Sequence, residues 1–347
     1  MSFRKIGAYT DYMLNKAVID LGKLRNNAKE LKARLKGGAR FNAVVKANAY
    51  GHGDAECANA LYDIADSFSV ALAEEGIKLR RAGIDKEILV LIEPFVSDVP
   101  AMVRFSLTAS VSRIETLAAL NEEAGRQNTF VTAHIKINSG MNRQGVSFDK
   151  AEELADAFDR FPRVKLTGIY SHFCAPEDKN ALNLQLDKFL LAYKLISGYN
   201  RNICAHISAS GGYLRGVHLD MCRIGLLLYG YYPFESDFAP VEPVMKVIAP
   251  TVAVREAARG EYLLYGSEKL SENQKFSLIR YGYADGLPRK KSGNLLKNRC
   301  MDLSAVEGER ESVNVLENAE KLAEENGTIV YELLCGAANR AERIYLK

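Results

Sequence analysis

Tryptophan is missing from the 347 residues of this chain, and histidine and proline are scarce, at five and nine copies. The histidines, at positions 52, 134, 172, 206 and 218, are scattered and show no metal-binding spacing. Six cysteines lie far apart, at 57, 174, 204, 222, 300 and 335, and form no Cys-x-x-Cys pair, which argues against a zinc site or a redox dithiol. No apolar run is long enough to cross a bilayer, and Met1 to Asp20 is polar and broken by charges, unlike a secretory leader. A cytoplasmic protein with reduced thiols is the expectation. Neither sign of charge dominates. Basic and acidic side chains, 46 and 43 of them, are mixed along the chain and leave a net +3, so neither nucleic acid nor a membrane is expected as a partner.

What is present is an ordinary globular composition, 48% hydrophobic, in a chain long enough for two domains. From Phe41 onward eight short apolar runs recur, near 41–45, 67–71, 88–92, 107–111, 133–137, 166–170, 204–207 and 221–226. Most are followed by a helical pattern, which is what a (β/α)8 barrel writes. Ala17 to Asp20 reads as an extended lead-in and Leu21 to Leu35 as a helix before the first of these strands. Leu182, Leu186, Phe189, Leu190, Tyr193 and Ile196 form an apolar stripe that packs a helix on the barrel. Prolines 233, 240 and 243 then interrupt all periodicity and mark a domain boundary. Beyond it, Val247 to Val254 and Phe276 to Tyr281 alternate as strands, and Val313 to Glu325 reads as a helix. The expected fold class is α/β: a TIM-like (β/α)8 barrel over residues 1–239, its extreme N-terminus able to pack on the second domain, then a C-terminal mainly-β domain over 240–347.

The stretch from Phe41 to Gly53 concentrates the chemistry. A strand-forming run, Ala43 to Val45, ends in Lys46 and breaks into a loop with Gly51 and Gly53, after which Asp54 caps a helix. A lysine at the C-terminal end of a buried barrel strand sits on the rim where ligands bind, and apolar surroundings free its amine to attack a carbonyl. The run Val44-Val45-Lys46-Ala47-Asn48-Ala49-Tyr50-Gly51-His52-Gly53 resembles the pyridoxal 5'-phosphate attachment motif of the alanine racemase family. That resemblance implies an enzyme interconverting L- and D-alanine with two opposed bases, Lys46 and Tyr265, and supplying D-alanine for cell-wall synthesis. Tyr265, in Leu-Leu-Tyr-Gly-Ser, would reach the site from the other subunit of a homodimer, giving two shared active sites.

The resemblance assigns the remaining roles segment by segment. Tyr50 and Ser210 would hold the phosphate, and Gly211 and Gly212 behind Ser210 would let backbone N–H groups approach it. Arg223, followed by Gly225 in Met-Cys-Arg-Ile-Gly, would face the pyridine nitrogen. His172, in Ser-His-Phe, would link Arg223 to Tyr265 and favour the phenolate of a residue whose ordinary pKa is about 10. Strand alternation turns Lys136 inward, and the family's Lys-x-x-x-Gly-Met-x-Arg-x-Gly pattern implies a carbamylated Lys136 that orients Arg143 toward the substrate carboxylate. Tyr283 would line the substrate entrance, and the Met301 backbone N–H would hold the substrate carboxylate.

Departures are local. Between Arg289 and Met301, and from Asp302 to Glu332, the chain is shorter than the family pattern, and Asn339 stands where the family usually has a tyrosine, which the resemblance would place near the phosphate. The amide and the lost ring leave room for a hydroxymethyl group, so serine or broad-specificity racemisation is the alternative. A non-catalytic pyridoxal-phosphate-binding protein is a further one. A carrier protein would lack the second domain, and a barrel decarboxylase carries a different lysine motif.

Overall fold

The computed structural model describes residues 14–197, 202–236, 238 and 241–347; Pro240 and the first thirteen residues lie outside them. The chain divides into two compact units, one of residues 23–49 and 54–242, the other of residues up to 22, 50–53 and 243–347.

The strands in chain order are β1 (Lys16–Asp20), β2 (Arg40–Val44), β3 (Ser67–Val70), β4 (Ile88–Val90), β5 (Ala109–Val111), β6 (Val131–Asn138), the short β7 (Val146–Ser147), β8 (Val164–Tyr170), β9 (Cys204–His206) and β10 (Met221–Ile224). All but β1 and β7 build the first unit's barrel. Two parallel runs, β10-β2-β3-β4 and β5-β6-β8-β9, make up its wall. Backbone bonds close the gaps between them: Val90 N donates to Thr108 O at 2.9 Å, and Arg223 N to Ser208 O at 3.0 Å. Strands buried on both faces read as continuous apolar runs, which is why the eight runs were visible in the sequence. One polar set admitted to the interior, on β2 and β3, is mutually paired. Asn42 Nδ2 donates to Ser67 Oγ at 2.8 Å, and Ser69 Oγ donates to Asn42 Oδ1 at 2.6 Å. The helix Lys179–Ser197 buries Leu182, Phe189 and Ile196 of the expected stripe, whereas Leu186 and Tyr193 are half-buried and Leu190 is exposed, its place taken by Gln185 and Ala192.

The second unit is a sheet ordered β13-β12-β11-β1-β15, with β14 on β11. Here β11 is Met245–Ala257, β12 Gln274–Ile279, β13 Ser304–Glu307, β14 Ser312–Asn314 and β15 Glu342–Leu346. β1 pairs antiparallel with β11 and parallel with β15, so the extended lead-in is a sheet strand of this unit. The helix expected over Val313 to Glu325 starts only at Ala319. Val313 instead pairs with Ala249, and the Asn314 side chain accepts from the Val247 and Leu316 N–H groups. A strand partner and an amide competing for backbone donors outweigh helix periodicity there. A second helix, Val330–Ala337, was not foreseen.

Gly51 ties residues 50–53 to that second helix. Its φ is +85°, and a Cβ there would strike the Leu334 carbonyl oxygen. Gly51→Ala combines backbone strain with a clash against rigid backbone and should cost about 3 kcal/mol or more. A fall in the thermal midpoint by several degrees checks this.

Candidate active site

Lys46 leaves β2 half-buried and opens a tight left-handed turn. Ala47, Asn48, Ala49 and Tyr50 all have φ between +52° and +54°. No glycine relieves this conformation, which disfavours a non-glycine residue by about 1–2 kcal/mol. Local bonds hold it: Ala47 N donates to Glu75 Oε1 at 2.6 Å, Ala49 N to Val45 O at 2.9 Å, and Asn48 Oδ1 accepts from Asp54 N at 3.1 Å and Lys78 Nζ at 3.4 Å. Backbone held this far from its preferred basins is characteristic of functional loops. Tyr50 is buried, and its ring centroid lies 6.0 Å from that of Tyr331.

Lys136, on β6, is only 6% exposed, and its Nζ sits 4.0 Å from the centroid of the Tyr170 ring. Burial, then the like charges of Arg223, Arg143 and Lys46, push its amine well below the usual lysine range. The same setting, burial first and then Arg223, Lys136, Arg143 and Lys46, drives the His172 imidazole well below its ordinary value, so it is neutral. Arg223 is buried on β10 and pulled down to about 10 by desolvation. Its guanidinium donates to His206 Nδ1, to Ser171 O at 2.7 Å and to Ile207 O at 3.1 Å, and its Cζ lies 5.1 Å from the Tyr170 ring centroid.

Among the described residues no direct hydrogen bond joins Arg223 to the His172 imidazole. NH1 and NH2 of Arg223 are taken up by His206 and by the carbonyls of Ser171, His206 and Ile207, and a neutral His172 feels the guanidinium through space. Ser210 Oγ accepts from Leu227 N at 3.3 Å. Gly211 and Gly212 are required by packing, since a Cβ on either would strike Pro176 or the Ser208 hydroxyl. Gly225 is buried.

Arg143 is exposed in the loop after β6. That loop is organised by Asn138 Oδ1, which accepts from Gly140 N at 3.1 Å and Asn142 N at 3.0 Å. The Gln144 amide, with its nitrogen toward Leu91 O at 3.3 Å and its oxygen toward Glu93 N at 2.5 Å, pins the loop to the end of β4. Tyr170, whose hydroxyl donates to the same Leu91 carbonyl at 2.9 Å, was missed in the sequence, as were His206 and Gln144. For Tyr170 the signal was its place as the last residue of a barrel strand, the position Lys46 nearly shares.

In the second unit Tyr265 is 75% exposed between Leu264 at φ +53° and Gly266 at φ +147°, the tip of a tight turn. Tyr283 N donates to Cys300 O and Ala284 N to Met301 O, both at 3.0 Å, so the Tyr283 and Met301 segments are bonded together. Asn339 is exposed, and its N–H closes the turn on Gly336 O at 2.9 Å. The next residue, Arg340, pairs with Asp302 at 2.9 Å and Asp285 at 3.5 Å.

Comparison with known proteins covers both units. The family described as alanine racemase, N-terminal domain, matches residues 19–233, and alanine racemase, C-terminal domain, matches 244–345. An alanine racemase of Clostridium tetani is 30% identical over 374 residues, 95% of each chain, and one of Aquifex pyrophilus is 30% identical over 360 residues, 96% of this chain and 99% of its own. Among solved structures, an alanine racemase of Clostridium difficile superposes with a TM-score of 0.88 at 27% identity, covering 96% of each chain. That of a D-cycloserine-producing Streptomyces lavendulae gives 0.87 at 28%, covering 96% of this chain and 97% of its own. Matched over both of its units and nearly its whole length, the chain belongs to the alanine racemase family.

Proposed function

We propose that the protein is a pyridoxal 5'-phosphate-dependent isomerase that interconverts L- and D-alanine. The observation that carries the reading is the cation cluster at the barrel mouth: Arg223, Arg143 and Lys46 all bear on the buried Lys136, and no carboxylate is among the groups that shift it. Buried like charges are costly without an anion. A ligand bearing a phosphate, together with a substrate carboxylate, fits that donor set, and the Ser210 hydroxyl, which accepts from Leu227 N, keeps its own proton to donate.

When bound, pyridoxal 5'-phosphate weakens the α-C–H bond of an attached amino acid by delocalising the charge left behind. Lys46 would attach it, with Tyr50 and Ser210 on its phosphate and Gly225 and Asn339 alongside. Arg223 would face the ring nitrogen; a permanent cation there keeps that nitrogen unprotonated and limits side reactions. Racemisation then needs a proton removed on one face and returned on the other. The Lys46 amine serves one face and the Tyr265 hydroxyl the other, with His172 near the second. Arg143 and the Met301 N–H would bind the substrate carboxylate, and Tyr283 would narrow the entrance and exclude water. The exposure of Tyr265 at a turn tip suits a homodimer in which one copy's tyrosine serves the other's barrel. D-Alanine for cell-wall synthesis in the cytoplasm is the fitting destination of the product.

The depressed Lys136 amine supports its carbamylation. A neutral Nζ attacks CO2, a C–N bond forms, a proton leaves, and the resulting carboxylate offsets Arg143. Because the folded pKa is lowered, the neutral amine persists at pH values where an exposed lysine is protonated, and the adduct should be lost as pH falls through that depressed value. A 13C resonance from 13CO2 that is absent in Lys136→Ala is the expected result.

Every named relative above is an alanine racemase, so alanine is the substrate proposed. Turnover of L-alanine above L-serine, with no turnover of either by Lys46→Ala, is the expected outcome. Asn339→Tyr should lower any serine turnover relative to alanine.

A further inference from the structure

Arg223 heads a chain of polar side chains that runs through the barrel, buried at Arg223, His206 and His134 and part-exposed at Glu87 and Arg40. Its NH1 lies 2.5 Å from His206 Nδ1, His206 Nε2 lies 3.0 Å from His134 Nδ1, and His134 Nε2 lies 3.3 Å from Glu87 Oε1. Arg40 NH1 stands 3.4 Å from Glu87 Oε2 at the far end. Both imidazoles are fully buried, at 0% and 1% exposure. The members come from β10, β9 and β6, the residue before β4 and the first residue of β2. The path therefore descends from the ligand-binding mouth of the barrel to its opposite end.

Donor counting fixes every proton. Arginine has no acceptor, so His206 Nδ1 must accept, and its single proton lies on Nε2. That proton is donated to His134 Nδ1, which places the His134 proton on Nε2, aimed at Glu87. The chain must end on an acceptor, and Glu87 is one. Burial pushes its carboxyl up, but its contacts with His134 and with the Arg40 cation outweigh this and hold it below the usual range. His206 is held neutral by its burial and by the charge of Arg223, as the counting requires.

The surrounding strands are shaped around these rings. Tyr170 stacks on His206 at 5.0 Å and 6°. A Cβ on Gly168 would come within 2.7 Å of the His134 ring, and the β6–β8 register shifts between Ala133 and His134, opposite that glycine. Only glycine leaves the imidazole its place.

We propose that Glu87, acting through His134, is a positioning residue for Arg223: it fixes the His206 tautomer whose lone pair anchors the guanidinium. The direction of all the donors is the same, so each bond polarises the next and the Glu87 charge strengthens the acceptor that Arg223 meets. The consequence for the reaction rests on the proposed placement of Arg223 at the ring nitrogen.

The test is 15N solid-state NMR of holoenzyme labelled at its five histidines, with His134→Gln to assign the spectrum. Wild type should show His134 and His206 as neutral Nε2–H tautomers. Glu87→Gln, which keeps the shape and removes the charge, should move the resonances of both and shift the absorption band of the bound cofactor. It should also lower kcat about tenfold with little change in KM, the scale usual for groups that orient a functional side chain. Gly168→Ala, which displaces the ring with Glu87 intact, should alter the same resonances. An Nδ1–H tautomer or an imidazolium at His134 or His206 in wild type overturns the proposal, as does a Glu87→Gln spectrum unchanged at His206. The resonances need no turnover, so an inactive protein with both tautomers as stated would count against racemisation and leave the chain standing.

Discussion

Lys46→Ala abolishes racemisation, lowering the rate on the order of 10^4-fold or more, the scale of losing a group that acts in every step. The expectation follows from where the side chain stands. β2 is buried over its last four residues, and the left-handed turn after it fixes the direction in which Lys46 leaves. Among the described residues no other lysine opens a run of non-glycine residues at positive φ; Lys136, although inward, lies over the Tyr170 ring. Borohydride treatment of wild type with pyridoxal 5'-phosphate should leave a reduced phosphopyridoxyl group, the cofactor less one oxygen, on the peptide carrying Lys46, and the variant should gain none there. Retained turnover in Lys46→Ala would remove the site from Lys46 altogether.

Tyr265→Phe should lower turnover by about 10^2 to 10^4-fold, the range of one general acid or base, while KM changes little. The ring stays and only the hydroxyl goes, so the exposed turn that carries it should not be disturbed. The loss should be asymmetric at the level of the α-proton. In deuterated water Lys46 can still exchange that proton from one enantiomer, whereas exchange from the other should fall with the hydroxyl. Equal loss of exchange from both enantiomers would show that the two faces are not divided between these groups.

Much of this was legible because it is local or periodic. Eight buried strands write eight apolar runs, and Lys46, Ser210 and Arg223 each follow or close one of them, so their place on the barrel was readable from spacing. Lys136 was readable as inward from alternation alone, and the same two-residue period puts His134 on its face. His206 and Glu87 were not legible as its partners, because they meet His134 only through the lateral order of strands, which the sequence does not state. Four non-glycine residues in a left-handed turn run against local preference, so nothing in Ala47 to Tyr50 announced their conformation. In the second unit, Val313 went to β14 because Ala249 offered a strand partner, and the expected helix shortened accordingly.

Enantiomers have equal free energy in an achiral solvent, so a racemase must carry either one to the same end point. The most direct measurement is the circular dichroism of alanine solutions exposed to the purified protein with pyridoxal 5'-phosphate. L-Alanine and D-alanine should each decay to zero signal, and neither should do so with Lys46→Ala. A persistent signal from both enantiomers with the intact, cofactor-loaded protein would contradict the account.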